Sequence, residues 1–569
     1  MDNKMLIGYP SVDKPWLKYY SDEAEKAPFP KCTMYEYAYD KNCNSLDDIA
    51  FLYFGNEISF RSFFESIKIT ANAFASKGIR SGDNVTIMSM HTPETIISLY
   101  ALNYLGAVAN MAYMTLSSQE ILESIKSTQS KMLLVLDVVI KKVMEIEKVL
   151  EIPIVVLSVA DSMPEALQKR FPQNQLLSDE RFLTWNKLLM QADTVGLHSP
   201  KRDSESTAVI VYTSGTTGKP KGVMLTNDNI NAVVHQLSLS SKNYHRQETA
   251  LFLLPLFYGF GLGMLHLSIC VGLKSELWIE QSADKIVQEF LRFKPNRIVC
   301  GTSLIDAFLE GISGDLSFLY EFTSGGSIIS AEKEKALNDL LESGKSIAKY
   351  TTGYGMTEFA SVVTMNTNSV SKFQSIGTPL IGVNVKIVDT QTGDELSFNE
   401  TGEICFSAPN LMSGYYNNPE ETEKTITVDS DGARWMHTGD LGYCDIDGFI
   451  FFTGRLKRIY TVRQKEGTLY KLFPQRIEEL IEGISGVKRC AVIVRKDSVF
   501  LHKAIAYVEA VPGESSNRPT REMIDTIMGI AKKELPEHMQ PERIIVIEKI
   551  PFTSNGKIDY GSLEKMAEI

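Results

Sequence analysis

The chain has 569 residues, which at about 150 residues per domain is enough for three to four domains and more than one core. Lys and Arg total 58 against 70 Asp and Glu, a net charge of −12 that argues against a nucleic-acid-binding surface. Hydrophobic residues make up 44% and charged residues 22%, an ordinary globular composition that excludes wholesale disorder and fibrous repeats.

The first twenty residues, MDNKMLIGYPSVDKPWLKYY, hold no apolar core of signal-peptide length. Short β-branched runs at 85–90, 132–138, 154–159, 208–212 and 297–300 alternate with helical patterns and predict layered α/β architecture with largely parallel sheets. Residues 251–273 carry no Asp, Glu, Lys or Arg over a length that could span a bilayer. Pro255, four glycines (259, 261, 263 and 272) and His266 punctuate that stretch, and the expectation is a buried loop followed by a core helix, with no membrane span. From about 371 the texture changes to strand-like pieces at 383–388, 402–407 and 449–452 separated by turns, an antiparallel β subdomain. Pro474 then opens a helix with Ile477, Leu480 and Ile481 on one face, and Gly483 ends it. Strands at 487–494, 504–508 and 544–547 and a helical pattern at 520–535 complete a small unit.

The fold class predicted is therefore α/β and multi-domain. A large N-terminal domain, 1–454, consists of layered α/β subdomains plus a β subdomain at about 371–454; a small, mobile C-terminal α+β domain occupies 455–569. The seven cysteines (32, 43, 270, 300, 405, 444 and 490) form no CxxC pair and are odd in number. Neither a disulfide framework nor a zinc site is expected, and a reducing cytoplasm is.

The densest chemical signal is YTSGTTGKPKGV at 212–223. A buried strand runs into Thr213, Ser214, Gly215, Thr216, Thr217, Gly218, Lys219 and Lys221. Two glycines let backbone N–H groups turn inward, hydroxyls donate, and two ammonium groups add charge, the parts of a phosphate grip. It is not a Walker A loop, because Thr213 stands where that pattern needs Gly and Pro220 where it needs Ser or Thr.

This string resembles the signature loop of the adenylate-forming superfamily, which includes acyl-CoA synthetases, aryl-CoA ligases, peptide-synthetase adenylation domains and luciferases. Further matches follow in order: Tyr354-Gly355-Met356-Thr357-Glu358, Trp435 to Asp440 (WMHTGD), Gly454 to Lys457 (GRLK) and Pro551 to Lys557 (PFTSNGK). They span 212–557; the first 200 residues fit by length and texture alone.

The resemblance implies attack of a carboxylate on the α-phosphate of ATP, release of pyrophosphate, and capture of the acyl-adenylate by a thiol. It implies that 213–221 hold the β- and γ-phosphates, that Thr357 bonds the α-phosphate and that Glu358 holds Mg²⁺. Asp440 would take the ribose hydroxyls with Arg455 beside it. Tyr354 would stack on adenine with Gly325, Gly326 and Ser327 as the wall opposite, Gly355, Met356 and Phe452 nearby. Lys557 would bridge the acyl carboxylate and the α-phosphate; His437 would be structural.

The acid pocket implied by the resemblance includes Phe257, Tyr258, Gly301, Thr302, Gly325 and Gly353. No Asp stands at 254–261 to meet an ammonium, which favours a fatty or aryl acid over an amino acid. Glycines at these positions are expected to leave room for a bulky acid. Tyr258 replaces the histidine common in acyl and aryl members. Arg458, at the expected hinge, replaces the usual Asp or Lys, and 459–472 departs from the short Gly-containing turn that meets the thiol. The acceptor stays open between coenzyme A and the phosphopantetheine of a free-standing carrier protein. Competing readings are a stand-alone amino-acid adenylating enzyme, a nucleotide-binding protein without turnover, and a light-emitting oxygenase.

Overall fold

Strands made only of Val, Ile, Leu and Met must be covered on both faces, and two of them, Met132–Leu136 and Ile154–Leu157, lie side by side in the first of two largely parallel sheets. The computed structural model describes residues 7–169, 182–192, 203–213, 220–240, 243–458, 460–464, 468–511, 520–552 and 558–567. In the first sheet, Met132–Leu136, wholly buried, pairs in parallel with Asn84–Met88 and Ile154–Leu157. The order runs Gly414–Tyr415, Lys221–Thr226, Thr207–Thr213, Val108–Met111, Asn84–Met88, Met132–Leu136, Ile154–Leu157, Phe182–Thr184, antiparallel only at its first two pairings. The second sheet has nine strands. Its parallel centre is Tyr350–Tyr354, Glu321–Gly325, Arg297–Gly301, Thr249–Phe252, Lys274–Leu277 and Ile49–Tyr53.

Helices Pro93–Leu105 and Gly259–Cys270 are buried nearly all round, and one continuous apolar core takes residues from both sheets. The uncharged stretch at 251–273 thus resolves into the end of strand Thr249–Phe252, a loop, and a 12-residue helix. No helix among the described residues is long and apolar enough to cross a membrane. Two of the glycines in that stretch permit close approach: a Cβ on Gly261 would lie 2.1 Å from the Pro255 carbonyl oxygen, and one on Gly263 2.6 Å from Ser361 Cβ.

The expected antiparallel sheet is present: Asn384–Val388, Gly402–Ser407, Arg434–Cys444 and Ile426–Val428, with Ile450–Arg455 added on Arg434–Cys444. Beyond it, Val487–Asp497, Leu501–Ala510 and Arg543–Ile547 form a three-stranded sheet. Ile477 and Ile481 of helix Pro474–Glu482 and Ile527 of helix Thr520–Glu534 cover one face, and Leu563 of Tyr560–Ala567 covers the other. Gly483 caps the helix that Pro474 opens, as the sequence predicts.

Two predictions concern stability. Gly261→Ala forces backbone apart and is expected to lower stability by about 1–3 kcal/mol. Gly529→Ala, mid-helix with nothing within 4 Å of the added carbon, should raise the small unit's stability by about 0.5–1 kcal/mol; urea denaturation of both variants checks the contrast. Glu94, 2% exposed beside Ser162, has its carboxyl pushed up to about 7 from 4.5 by burial. A raised folded-state value favours folding below the unfolded value and loses that contribution as pH rises from about 4.5 through 7. Glu94→Gln should therefore be more stable than the parent at pH 8, on the order of 2–3 kcal/mol, with no such gain near pH 4.5.

Candidate active site

Open α/β sheets bind ligands where the carboxyl ends of parallel strands open into loops. Here four adjacent strands, Thr249–Phe252, Arg297–Gly301, Glu321–Gly325 and Tyr350–Tyr354, end along one edge of the second sheet. They deliver 254–261, Gly301 and Thr302, Gly325 to Ser327, and Gly353 to Glu358 to the same place. The tyrosine and glutamate motif continues into the short turn Thr357–Phe359. Gly355 is obligatory there, because a Cβ would lie 1.8 Å from the Ser361 carbonyl oxygen.

Asp440, on strand Arg434–Cys444, is only 2% exposed. A buried carboxylate needs donors, and it has two: the Tyr354 hydroxyl donates to Oδ2 at 2.7 Å, and Arg455 Nε lies 3.1 Å from Oδ1. Burial and the Asp440 charge hold the Tyr354 phenol well above its ordinary range. The Tyr354 ring lies 5.9 Å from that of Phe406. Phe452 sits on the Arg455 strand, opposite Gly442. The strand irregularity beside Asp440 is tied down by Glu403, which accepts from Gly439 N–H at 2.9 Å and lies 2.8 Å from His437 Nδ1. His437 is thus engaged on both nitrogens, Nε2 meeting Thr427 Oγ1 at 3.2 Å.

Glu358, 5% exposed, accepts from the Tyr415 hydroxyl at 2.8 Å. Lys221 places its ammonium 5.1 Å from the Tyr415 ring centre and pairs with Glu421. Thr213 and Lys221 face each other across antiparallel strands, so both ends of the signature loop are anchored. Ser214, Gly215, Thr216, Thr217, Gly218 and Lys219 lie outside the described residues, as does Lys557.

Tyr258 precedes helix Gly259–Cys270, its ring 4.7 Å from Phe257 and 5.6 Å from Tyr113. The Tyr258 hydroxyl is buried without a hydrogen-bond partner among the described residues. The expectation that glycines leave room here needs correction at two positions. A Cβ on Gly325 would stand 3.3 Å from Phe260 Cζ, and one on Gly353 3.0 Å from Val362 Cγ2. Those spaces are filled by neighbouring side chains, so the two glycines buy close packing rather than volume for a substrate.

Arg458 faces the small unit: it bonds Glu478 at 2.8 and 3.1 Å, the Tyr560 hydroxyl at 2.9 Å and the Val492 carbonyl at 2.8 Å. The segment after it is a hairpin of Tyr460–Arg463 and Leu469–Leu472, with Ile459 and Gly467 outside the described residues. Sequence reasoning missed Tyr415, Glu403 and Tyr113, because their partners lie 57, 34 and 99 residues away.

The sequence profile of the AMP-binding enzyme family matches residues 40–416, and that of the AMP-binding enzyme C-terminal domain residues 476–557. The chain belongs to the AMP-binding enzyme family. It is an ATP-dependent acid–thiol ligase. A 4-coumarate–CoA ligase of Arabidopsis thaliana is 29% identical over 492 residues, covering 84% of this chain and 81% of the relative. A long-chain-fatty-acid–CoA ligase of Bacillus subtilis is 27% identical over 562 residues, 96% of each. ATP-bound MatB from Rhodopseudomonas palustris shares the fold with a TM-score of 0.80 at 21% identity, covering 95% of this chain and 99% of that one. An anthranilate CoA ligase in complex with anthranoyl-AMP gives 0.80 at 21%, covering 96% and 98%.

Removing the Tyr415 hydroxyl leaves the buried Glu358 carboxylate one donor short, a cost of about 1–3 kcal/mol. Tyr415→Phe is expected to lower kcat/KM for ATP roughly tenfold or more and to lower the thermal midpoint by a few degrees; pyrophosphate release across ATP concentrations and a thermal melt check the two effects.

Proposed function

We propose that this ligase activates an aryl or fatty carboxylic acid as its acyl-adenylate and passes the acyl group to the thiol of coenzyme A. The observation that carries the reading is the buried Asp440 carboxylate, held between Tyr354 and Arg455 where four parallel strands end. Its two oxygens suit the two ribose hydroxyls, with Arg455 as an added donor. Tyr354 offers a flat face to adenine, with Gly325, Gly326 and Ser327 as the wall opposite and Gly355, Met356 and Phe452 around the nucleotide.

Thr357 donates to the α-phosphate. Glu358 and the Thr357 and Tyr415 hydroxyls form an all-oxygen donor set, which suits Mg²⁺. When bound, that ion neutralises phosphate charge. Lys221 is engaged by Glu421, so Lys219 is the loop cation assigned to the β- and γ-phosphates. Lys557 neutralises the charge that builds between the acyl carboxylate and the α-phosphate.

Phe257, Tyr258 and Tyr113 make the acid pocket aromatic, with Gly301 and Thr302 at the next strand end, and supply no counter-ion for an ammonium. The unpartnered Tyr258 hydroxyl favours an aryl acid with a polar substituent over a plain fatty chain. Coenzyme A is preferred over a carrier protein because both relatives above are CoA ligases. We take 1–454 and 455–569 as the moving units, with the pivot between Arg455, bonded to Asp440, and Arg458, bonded to Glu478. All seven cysteines are free thiols, in keeping with a reducing cytoplasm.

The test is acid-dependent exchange of pyrophosphate into ATP, across substituted aryl acids, fatty acids of graded length and the twenty amino acids. Turnover of aryl or fatty acids is the expected result. An amino-acid hit overturns the pocket argument, and silence across the panel favours a nucleotide-binding protein without turnover. Lys557→Ala should abolish exchange yet leave ATP affinity and thiolation of a supplied acyl-adenylate largely intact.

A further inference from the structure

In a β-sheet, residues at i and i+2 of one strand and the residue opposite them on the next strand share a face, close enough for three side chains to converge on one atom. Glu403 and Cys405 stand in this relation on strand Gly402–Ser407, and His437 is the cross-strand partner of Cys405. Cys405 Sγ lies 3.4 Å and Glu403 Oε2 2.8 Å from His437 Nδ1, and the three potential ligand atoms all lie within 4.8 Å of one another. Tetrahedral zinc, with Zn–N of about 2.0 Å and Zn–S of about 2.3 Å, separates the two atoms by about 3.5 Å and a nitrogen from an oxygen by about 3.3 Å. The resting geometry is within about half an ångström of both. Among the described residues this is the one such group of three.

We propose that Glu403, Cys405 and His437 form a binding site for a thiophilic divalent cation of the Zn²⁺ class, and that its occupation weakens nucleotide binding at Asp440. Three protein ligands with solvent as the fourth is a common arrangement for an open zinc site. The cysteine is buried but the histidine side chain is 28% exposed, which gives an entry path. On binding, Cys405 gives its S–H proton to solvent and its sulfur bonds the cation. The hydrogen bond between His437 Nδ1 and Glu403 breaks, and the imidazole proton sits on Nε2, where Thr427 Oγ1 at 3.2 Å accepts it. Lys386, opposite Cys405 on the other neighbouring strand, keeps its ammonium 3.2 Å from Asp429 and 4.2 Å from the Trp435 ring centre.

The coupling follows from Glu403, whose other oxygen accepts from Gly439 N–H at 2.9 Å. Gly439 has φ of +70° and sits where the pairing of the two strands shifts register, directly before Asp440. Opening the Glu403–His437 pair to the separation a metal requires pulls on that bond and displaces Asp440 from the ribose position. Cysteine spacing alone gives no hint of this site, because its ligands come from two strands 32 residues apart.

The cation half of the proposal is independent of the reaction assigned above and is read by spectroscopy. Apo protein titrated with Co²⁺ should develop a thiolate-to-cobalt charge-transfer band that Zn²⁺ bleaches. Cys405→Ser, nearly isosteric, should lose the band, Glu403→Gln should weaken cobalt binding, and Cys490→Ala should keep the band. AMP affinity, measured by calorimetry with and without Zn²⁺, should fall about fivefold or more in the parent and stay constant in Cys405→Ser. No band, or a band that survives loss of Cys405, overturns the site. A parent that binds cobalt yet keeps its AMP affinity under Zn²⁺, or an equal fall in Cys405→Ser, overturns the coupling.

Discussion

The site depends on a contact between two pieces of backbone. Helix Gly259–Cys270 lies against the turn at 355–361 so closely that a Cβ on Gly259 would be 3.1 Å from Thr357 Cα, and one on Gly263 would overlap Ser361. That approach fixes Glu358 at the end of the second sheet while keeping the aromatic segment before the helix at the same edge. Glycines here cost helix propensity, roughly 1 kcal/mol each relative to Ala. Full burial on all sides offsets that cost, since tertiary packing dominates helix stability in proteins.

With the backbone fixed, the electrostatics follow from burial. Asp440 and Glu358 are nearly inaccessible, and an ionised carboxylate in such a place needs donors within reach. Tyr354 and Arg455 serve the first, Tyr415 the second. Each carboxylate is thereby held in one rotamer before any ligand arrives, which is what preorganisation requires. Glu403 extends the same logic outward by holding both His437 and the N–H beside Asp440. His437 is thereby held through both ring nitrogens, by Glu403 and Thr427.

Much of this was legible in the sequence because its signals are local. Strands such as Met132–Leu136 announce themselves by composition, the helix from Pro474 by its cap residues, and Tyr354, Glu358, Asp440 and Arg455 by short dense motifs. What was not legible depends on contacts between distant segments. Tyr415 reaches Glu358 across 57 residues, and the space beside Gly325 is taken by Phe260, 65 positions earlier in the chain. A glycine marks a place where no Cβ fits or none is wanted, and only the fold tells which. The uncharged stretch at 251–273 shows the converse: its composition resembled a membrane segment, and its punctuation correctly pointed to a core helix instead.

The contact between the two units bears on the movement proposed above for them. Arg489 of the small unit pairs with Asp306 at 2.7 Å, and Asp306 also takes Lys333 at 2.8 Å; Lys488 reaches Glu310 at 3.9 Å. Asp306 follows the Gly301–Thr302 strand end by one helical turn. The Arg489 guanidinium also lies 4.9 Å from the ring centre of Phe552, at the base of the loop that carries Lys557. The Arg489 and Asp306 side chains are only 18% and 14% exposed, so parting them without a substitute partner would leave a buried charge unpaired, a costly step. Exchange of Asp306 from Arg489 to Lys333 alone would leave no buried charge unpaired in the large unit, which is what the movement of the small unit proposed above requires.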